Sequence, residues 1–215
     1  MYTTGVSRFS QGRFLISAAA AGQFPADLGV EVAFAGRSNA GKSSAINAIT
    51  QRHGLARTSK TPGRTRLLNF FELGPQQRIV DLPGYGYATG PEAERLSWRP
   101  LIDALRGRRS LRGLFLIVDA RRGLTEGDLT LLQWAQPGLA VHVLLSKADK
   151  LNRSESLRVL RETQSRLPAV SVQLFSALQK TGIPEAQRCL EDWLEKKNPD
   201  DLCGHRGQTN PVQVS

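Results

Sequence analysis

The sequence predicts a three-layer α/β fold, with a mostly parallel central sheet, one antiparallel strand, and helices on both faces. Three observations carry this. Short apolar runs alternate along the chain with longer helix-like stretches. Several runs are apolar at consecutive positions, as strands covered on both faces are. One pair of neighbouring runs is separated only by Gly74-Pro75, which suits a hairpin of adjacent strands.

Bulk properties set the outer limits. A length of 215 residues fits one such domain with modest extensions, and 40% hydrophobic with 22% charged residues excludes a wholly disordered chain, a collagen-like fibre and a small disulfide scaffold. Charge is less ordinary: 29 Lys and Arg against 19 Asp and Glu give +10, which favours a polyanionic partner, nucleic acid or an anionic membrane surface. Cys189 and Cys203 show no C-x-x-C spacing, so no redox pair or four-ligand zinc site is visible and free thiols in a reducing compartment are expected. Apolar stretches such as Leu114 to Val118 fall far below the ~18 residues of a membrane span, and the first residues lack a signal-peptide core. The expectation is a soluble, cytoplasmic, monomeric protein.

The elements follow in order. Residues 1–29 read as an N-terminal extension containing the apolar patch Phe14-Leu15-Ile16, and 30–197 as the domain proper. Val30 to Ala35 is a strand ending in glycine, and Lys42 to Gln51 a helix with Ile46 and Ile49 on one side. Leu67 to Leu73 and Arg78 to Leu82 form the hairpin, and further buried strands are expected at Gly113 to Asp119, Val141 to Ser146 and Val170 to Phe175. Helical patterns lie at Glu92 to Arg106, Glu126 to Gln136, Ser154 to Leu167 and Pro184 to Lys196. Arg52 to Arg66 and Pro83 to Gly90 read as mobile loops, and 198–215, polar with Pro199, Gly204, Gly207 and Pro211, as a disordered tail.

Gly36-Arg37-Ser38-Asn39-Ala40-Gly41-Lys42-Ser43 matches G-x-x-x-x-G-K-[ST] between a predicted strand and a predicted helix. The glycines let successive amides face a phosphate, and the helix adds its positive end. Lys42 would reach the β and γ phosphates, and the Ser43 hydroxyl would ligate magnesium. The alternative is a glycine-containing turn with a solvated lysine, which the strand-to-helix context disfavours. Asp81-Leu82-Pro83-Gly84 is a D-x-x-G element closing a strand; its carboxylate can hold magnesium through a water, and the Gly84 amide can contact the γ phosphate. In isolation it also describes a common turn.

Ser146-Lys147-Ala148-Asp149 ends another strand. The Asp149 carboxylate can accept from the ring N–H and exocyclic amine of guanine, a donor pair adenine lacks, while the Lys147 stem covers the base. A polar helix entry with Asp as cap is the alternative. Phe175-Ser176-Ala177 offers small residues and a backbone N–H for the guanine carbonyl.

These four elements in this order resemble the translation-factor-related GTPases. Gly36 to Ser44, then Thr61-Pro-Gly-Arg-Thr65 with Leu68-Asn-Phe-Phe71, then Asp81-Leu-Pro-Gly-Tyr-Gly-Tyr87, are similar to the EngB (YihA/YsxC) family of bacterial GTPases, within the TrmE-Era-EngA-EngB-Septin-like group. The resemblance covers about residues 7 to 196. It implies the P-loop GTPase fold, with 30–197 as the G domain, and a protein that binds GTP or GDP with Mg2+. It also implies a role in assembling the large ribosomal subunit and a need for it in normal division-septum formation. Its nucleotide contacts would extend to Gly63, Arg64, Thr65, Arg66 and Leu67, with Thr65 as the switch threonine that ligates magnesium in the GTP state. Lys42, Thr65 and Gly84 would serve catalysis. Ser146 stands where the family usually has Thr or Asn, which keeps a hydroxyl; Tyr85 stands where Ras-like enzymes have a water-positioning Gln, so slow intrinsic hydrolysis stimulated by a partner is expected.

From Val32 to Phe71 there are no acidic residues and seven basic ones, Arg37, Lys42, Arg52, Arg57, Lys60, Arg64 and Arg66, so positive charge falls on the first switch. Arg106, Arg108, Arg109 and Arg112 form a second cluster, followed by Arg121 and Arg122. These suit rRNA of the large subunit or its precursor, with salt-sensitive association; solvated surface charge is the alternative. An ATP-dependent small-molecule kinase would leave Lys147 to Asp149 unexplained, and a membrane-anchored septation GTPase would call for an amphipathic or lipid anchor not seen in the sequence. His53, His142 and His205 are scattered and assigned to neither metal nor catalysis; Trp98, Trp134 and Trp193 read as packing residues.

Overall fold

A computed structural model describes residues 8–57, 67–86, 100–135 and 138–195. Seven strands form one sheet: β1 (Arg13–Ala18), β2 (Val30–Gly36), β3 (Leu68–Gly74), β4 (Gln77–Asp81), β5 (Leu111–Asp119), β6 (Ala140–Ser146) and β7 (Ser171–Leu174). Their spatial order is β1-β3-β4-β2-β5-β6-β7. The ladders β2·β4, β2·β5, β5·β6 and β6·β7 are parallel, and β3 runs antiparallel to both β1 and β4. One strand therefore opposes the rest, as the Gly74-Pro75 hairpin requires, with Gln76 taking the left-handed conformation at the turn (φ 56°).

Among the described residues, five α-helical segments cover the sheet: α1 (Lys42–Thr50), the helical residues 100–106 (α2), α3 (Glu126–Trp134), α4 (Arg153–Arg166) and α5 (Ile183–Glu195). Ile46 and Ile49 of α1 and Leu190 and Trp193 of α5 pack with Phe34, Phe115 and Ile117 on one face. Leu101, Ile102 and Leu105 of α2, Leu131 of α3 and Val159 of α4 pack with Phe70, Leu114, Leu116 and Val118 on the other. Because alternate residues of β5 enter opposite cores, a continuous apolar run is what the strand needs. Trp193 lies over Gly113, whose missing side chain makes room for the indole (a Cβ would sit 2.2 Å from the ring). No helix among the described residues is long and apolar enough to cross a membrane.

Two departures from the sequence reading concern the molecule's flank. Residues 13–18, read as part of an extension, form an edge strand against β3; the register slips between Phe14 and Ile16, leaving Leu15 as a bulge. Phe14, Leu15 and Ile16 are all exposed, so no buried-face alternation marks the strand. The second is Arg108, grouped above with surface arginines. Its guanidinium is inward, bonded to the fully buried Glu31 (2.6 Å) and to the Pro25 carbonyl (3.0 Å). Arg112 is also withdrawn, with Nε and Nη2 buried, whereas Arg106 and Arg109 are exposed. The helical pattern from Glu92 to Arg99 (including Trp98), the loop Tyr87 to Gly90, and Gln136, Lys196 and the tail 198–215 with Cys203 and His205 lie outside the described residues.

Candidate functional site

The chain leaves β2 toward β3 and β4 on one side and crosses to β5, β6 and β7 on the other. The carboxyl end of β2 is thus a topological switch point, where open α/β sheets bind ligands. Gly36 ends β2 there, and only glycine fits: a Cβ would lie 2.6 Å from the Ile117 carbonyl of β5. Asn39 (φ 64°) and Gly41 (φ 101°) turn the loop through left-handed conformations into α1.

That turn leaves a donor surface. The α1 N-cap is Gly41, with no side-chain cap and no acidic residue in the first turn. The Ser38 amide bonds to the Tyr85 carbonyl (2.8 Å) and the Ala40 amide to the Arg37 carbonyl (2.9 Å). The amides of Asn39, Gly41, Lys42, Ser43 and Ser44 have no acceptor among the described residues. Unpaired amides at an uncapped helix start are what a phosphate group satisfies.

In front of them lies a cleft of about 180 Å³, lined on its polar side by Lys42, Ser43, Arg57, Asn69 and Asp81, with Gly84 at its wall. Lys42 Nζ is ion-paired with Asp81 Oδ1, and the Ser43 hydroxyl donates to the Arg57 carbonyl (3.3 Å). The Ser43 and Asp81 oxygens facing one cleft are hard donors of the kind Mg2+ takes. Leu67, Leu82 and Pro83 also line this cleft. Thr58, Thr61, Gly63, Arg64, Thr65 and Arg66, as well as Lys60, lie outside the described residues.

Ser146 to Asp149 and Phe175 to Ala177, the segments expected to read the base, gather on the other side of the loop. Ser146 Oγ is within reach of the Ala40 and Val118 carbonyls (3.0 Å to the latter), so the hydroxyl ties the end of β6 to the phosphate loop and to β5. Lys147, itself left-handed (φ 58°), extends over the loop to the Asn39 carbonyl and to Asp119 Oδ2 (2.9 Å). Asp149 accepts from Ser176 Oγ (2.6 Å), and this bond holds its carboxyl below the usual carboxylate range. The Ala148 amide bonds to the Phe175 carbonyl (3.1 Å), joining these two segments. The Ser176 amide is committed to the Thr181 carbonyl (3.0 Å), so Ala177 carries the amide that remains for a ligand carbonyl.

One group escaped the sequence reading and two others have contacts it did not foresee. Asp119 ends β5 as Asp81 ends β4. Burial alone would raise its carboxyl, but hydrogen bonds from Arg121 (2.7 and 2.9 Å) and Lys147 outweigh this and hold it well below the usual range. It fixes the ammonium of Lys147, so the aliphatic stem is held in place. Tyr85, expected only as a missing Gln, turns its ring away from the cleft and is buried against Asp128 of α3. Arg57 lines the phosphate cleft while remaining exposed.

Comparison with known proteins agrees with this geometry. Residues 31–147 match the family described as 50S ribosome-binding GTPase. The chain is 50% identical over 194 residues to a protein named "Probable GTP-binding protein EngB" from Nitrosococcus oceani, spanning 87% of this chain and 97% of that one. A protein of the same name from Tolumonas auensis is 47% identical over 206 residues, spanning 93% and 97%. Among solved structures, an EngB protein superimposes with a TM-score of 0.60 at 23% identity, covering 78% of this chain and all of the other. Era of Aquifex aeolicus, solved with GDP and aluminium fluoride, gives 0.59 at 20% identity over 80% of this chain and 59% of its own. At those identities the structures speak to the fold.

Proposed function

The chain belongs to the EngB family of GTP-binding proteins and is a GTPase, and from that premise we propose that it is a GTP-dependent switch in assembly of the large ribosomal subunit. Normal cell division and septum formation also require it. It acts in the cytoplasm as a monomer, with rRNA and ribosomal proteins of the large subunit or its precursor as partners.

The switch follows from the site. The amides of Asn39, Gly41, Lys42, Ser43 and Ser44 receive the β-phosphate region, and Lys42 exchanges Asp81 for phosphate oxygens. Ser43, with Thr65 in the GTP state, would ligate Mg2+ and Asp81 would hold it through a water; the ion would supply charge neutralisation on the β and γ oxygens. The Gly84 amide meets the γ phosphate. Asp149 accepts both guanine donors, while Lys147 covers the base. With the Tyr85 ring turned onto Asp128, no side chain of the Gly84-Tyr85-Gly86 turn orients the attacking water, so intrinsic hydrolysis is slow and a partner accelerates it.

The observation that carries the ribosomal reading is Arg57. It is exposed, it lines the phosphate cleft, and its carbonyl accepts from Ser43, so the basic first switch begins at the nucleotide itself. Positive charge presented there can be reordered by the nucleotide state and offered to RNA phosphates. Depletion in cells tests this. Large-subunit particles should accumulate incomplete, wild-type protein should restore them, and Lys42→Ala or Asp149→Ala should not. Normal subunit profiles after depletion would overturn the reading.

A further inference from the structure

We propose that Asp128, acting through Tyr85, is a positioning residue for recognition of the γ phosphate; this rests on the reading above that the Gly84 amide contacts that group. The Tyr85 phenol donates to Asp128 Oδ1, and both side chains are buried (Tyr85 7% and Asp128 2% exposed). The other Asp128 oxygen accepts from the Thr125 amide (2.7 Å) and hydroxyl (2.6 Å), so the carboxylate is anchored at the start of α3. At its other end Tyr85 is fastened by its own carbonyl, which accepts the Ser38 amide of the phosphate loop at 2.8 Å. One residue therefore bridges α3 and the phosphate loop, and its neighbour Gly84 lines the phosphate cleft.

Three glycines are spent on this clasp. A Cβ on Gly84 would lie 3.0 Å from Ser38 Cα, one on Gly86 (φ +90°) would lie 2.7 Å from Arg37 Nε, and one on Gly127 would lie 3.2 Å from the Tyr85 ring. They lie on two separate segments, and each serves a different contact of one assembly. A tyrosine buried only to fill space would need a partner for its hydroxyl, but not a close-packed turn against the phosphate loop. The clasp holds Gly84 at the cleft wall, where a γ phosphate would meet it. GDP, lacking that phosphate, is bound without it.

The test is direct binding of GDP and of a non-hydrolysable GTP analogue to the full chain, as wild type, Tyr85→Phe, Asp128→Asn and the double variant. Tyr85→Phe should keep GDP affinity within about twofold and lose about tenfold for the analogue, the size expected for one hydrogen bond to a charged group. Asp128→Asn can still accept from the phenol and should lose less. The double variant should be no worse than Tyr85→Phe, because the two act as one unit. An unchanged or raised preference for the analogue, or a parallel loss of both nucleotides, would overturn the inference. Failure of the wild type to bind GDP at all would overturn the nucleotide-site reading beneath it.

Discussion

Asp149 shows how a single side chain is prepared for the guanine-reading role proposed for it. Guanine recognition needs a carboxylate, and the 2.6 Å hydrogen bond from Ser176 stabilises the charged form. A carboxyl depressed in this way keeps its function above its own pKa and loses it as pH falls through that value. GDP affinity should therefore stay flat from neutral pH down through the ordinary carboxylate range, about pH 4, and fall only below it. In Ser176→Ala the fall should begin at higher pH; fluorescence titrations with labelled GDP across that range, on protein shown folded by circular dichroism, decide it. An identical midpoint in both proteins would remove Ser176 from the account. Asp149, Lys147 and Lys42 were legible because each sits inside a short contiguous pattern. Asp119 was not, because what gives it a role is Lys147, brought to it only by the pairing of β5 with β6.

At the level of elements, β2 is held at one end by charge and at the other presents the phosphate loop. Glu31, fully buried near its start, accepts from Arg78 (2.9 Å), Arg108 (2.6 Å) and Ser110 (2.9 Å). The same arginines bind the carbonyls of Pro25 and Ala26, pinning the segment that leads into β2. Glu31→Gln would leave two inward guanidinium groups without their carboxylate, a loss of about 3 kcal/mol. Urea denaturation should show it, while GDP affinity of the folded protein stays unchanged, since Gly36 and the loop lie at the other end of the strand. A stability loss below about 1 kcal/mol would contradict the assignment of this network as an internal tie. The central strands and the amphipathic helices were readable because burial on both faces or on one stripe writes itself into residue order. The edge strand β1 was not, since its exposed Phe14, Leu15 and Ile16 carry neither pattern. Nor could the run Arg106 to Arg112 reveal that Arg108 turns inward, because Glu31 lies far away in sequence.

For the whole molecule, the +10 charge divides into distinct uses. Lys42 and Lys147 serve the proposed nucleotide site, Arg78 and Arg108 tie the sheet to the segment before it, and Arg121 holds Asp119. Among the described residues, the basic side chains left exposed are spread over several segments, including Arg52 and Arg57, then Arg106, Arg109 and Arg122, and Arg153, Arg158, Arg161 and Arg166 along α4; of these, Arg57 lines the phosphate cleft, where a bound nucleotide can reach it. A switch of this kind should grip ribosomal particles through phosphates, in a manner set by the bound nucleotide. The most direct measurement is co-sedimentation of the purified protein with large ribosomal subunits, carrying either GDP or a non-hydrolysable GTP analogue, at about 50 and about 200 mM salt. The account predicts tight association with the analogue at low salt, release with GDP, and at least about tenfold weaker binding at the higher salt. Association that is the same for both nucleotides and both salt concentrations would contradict it.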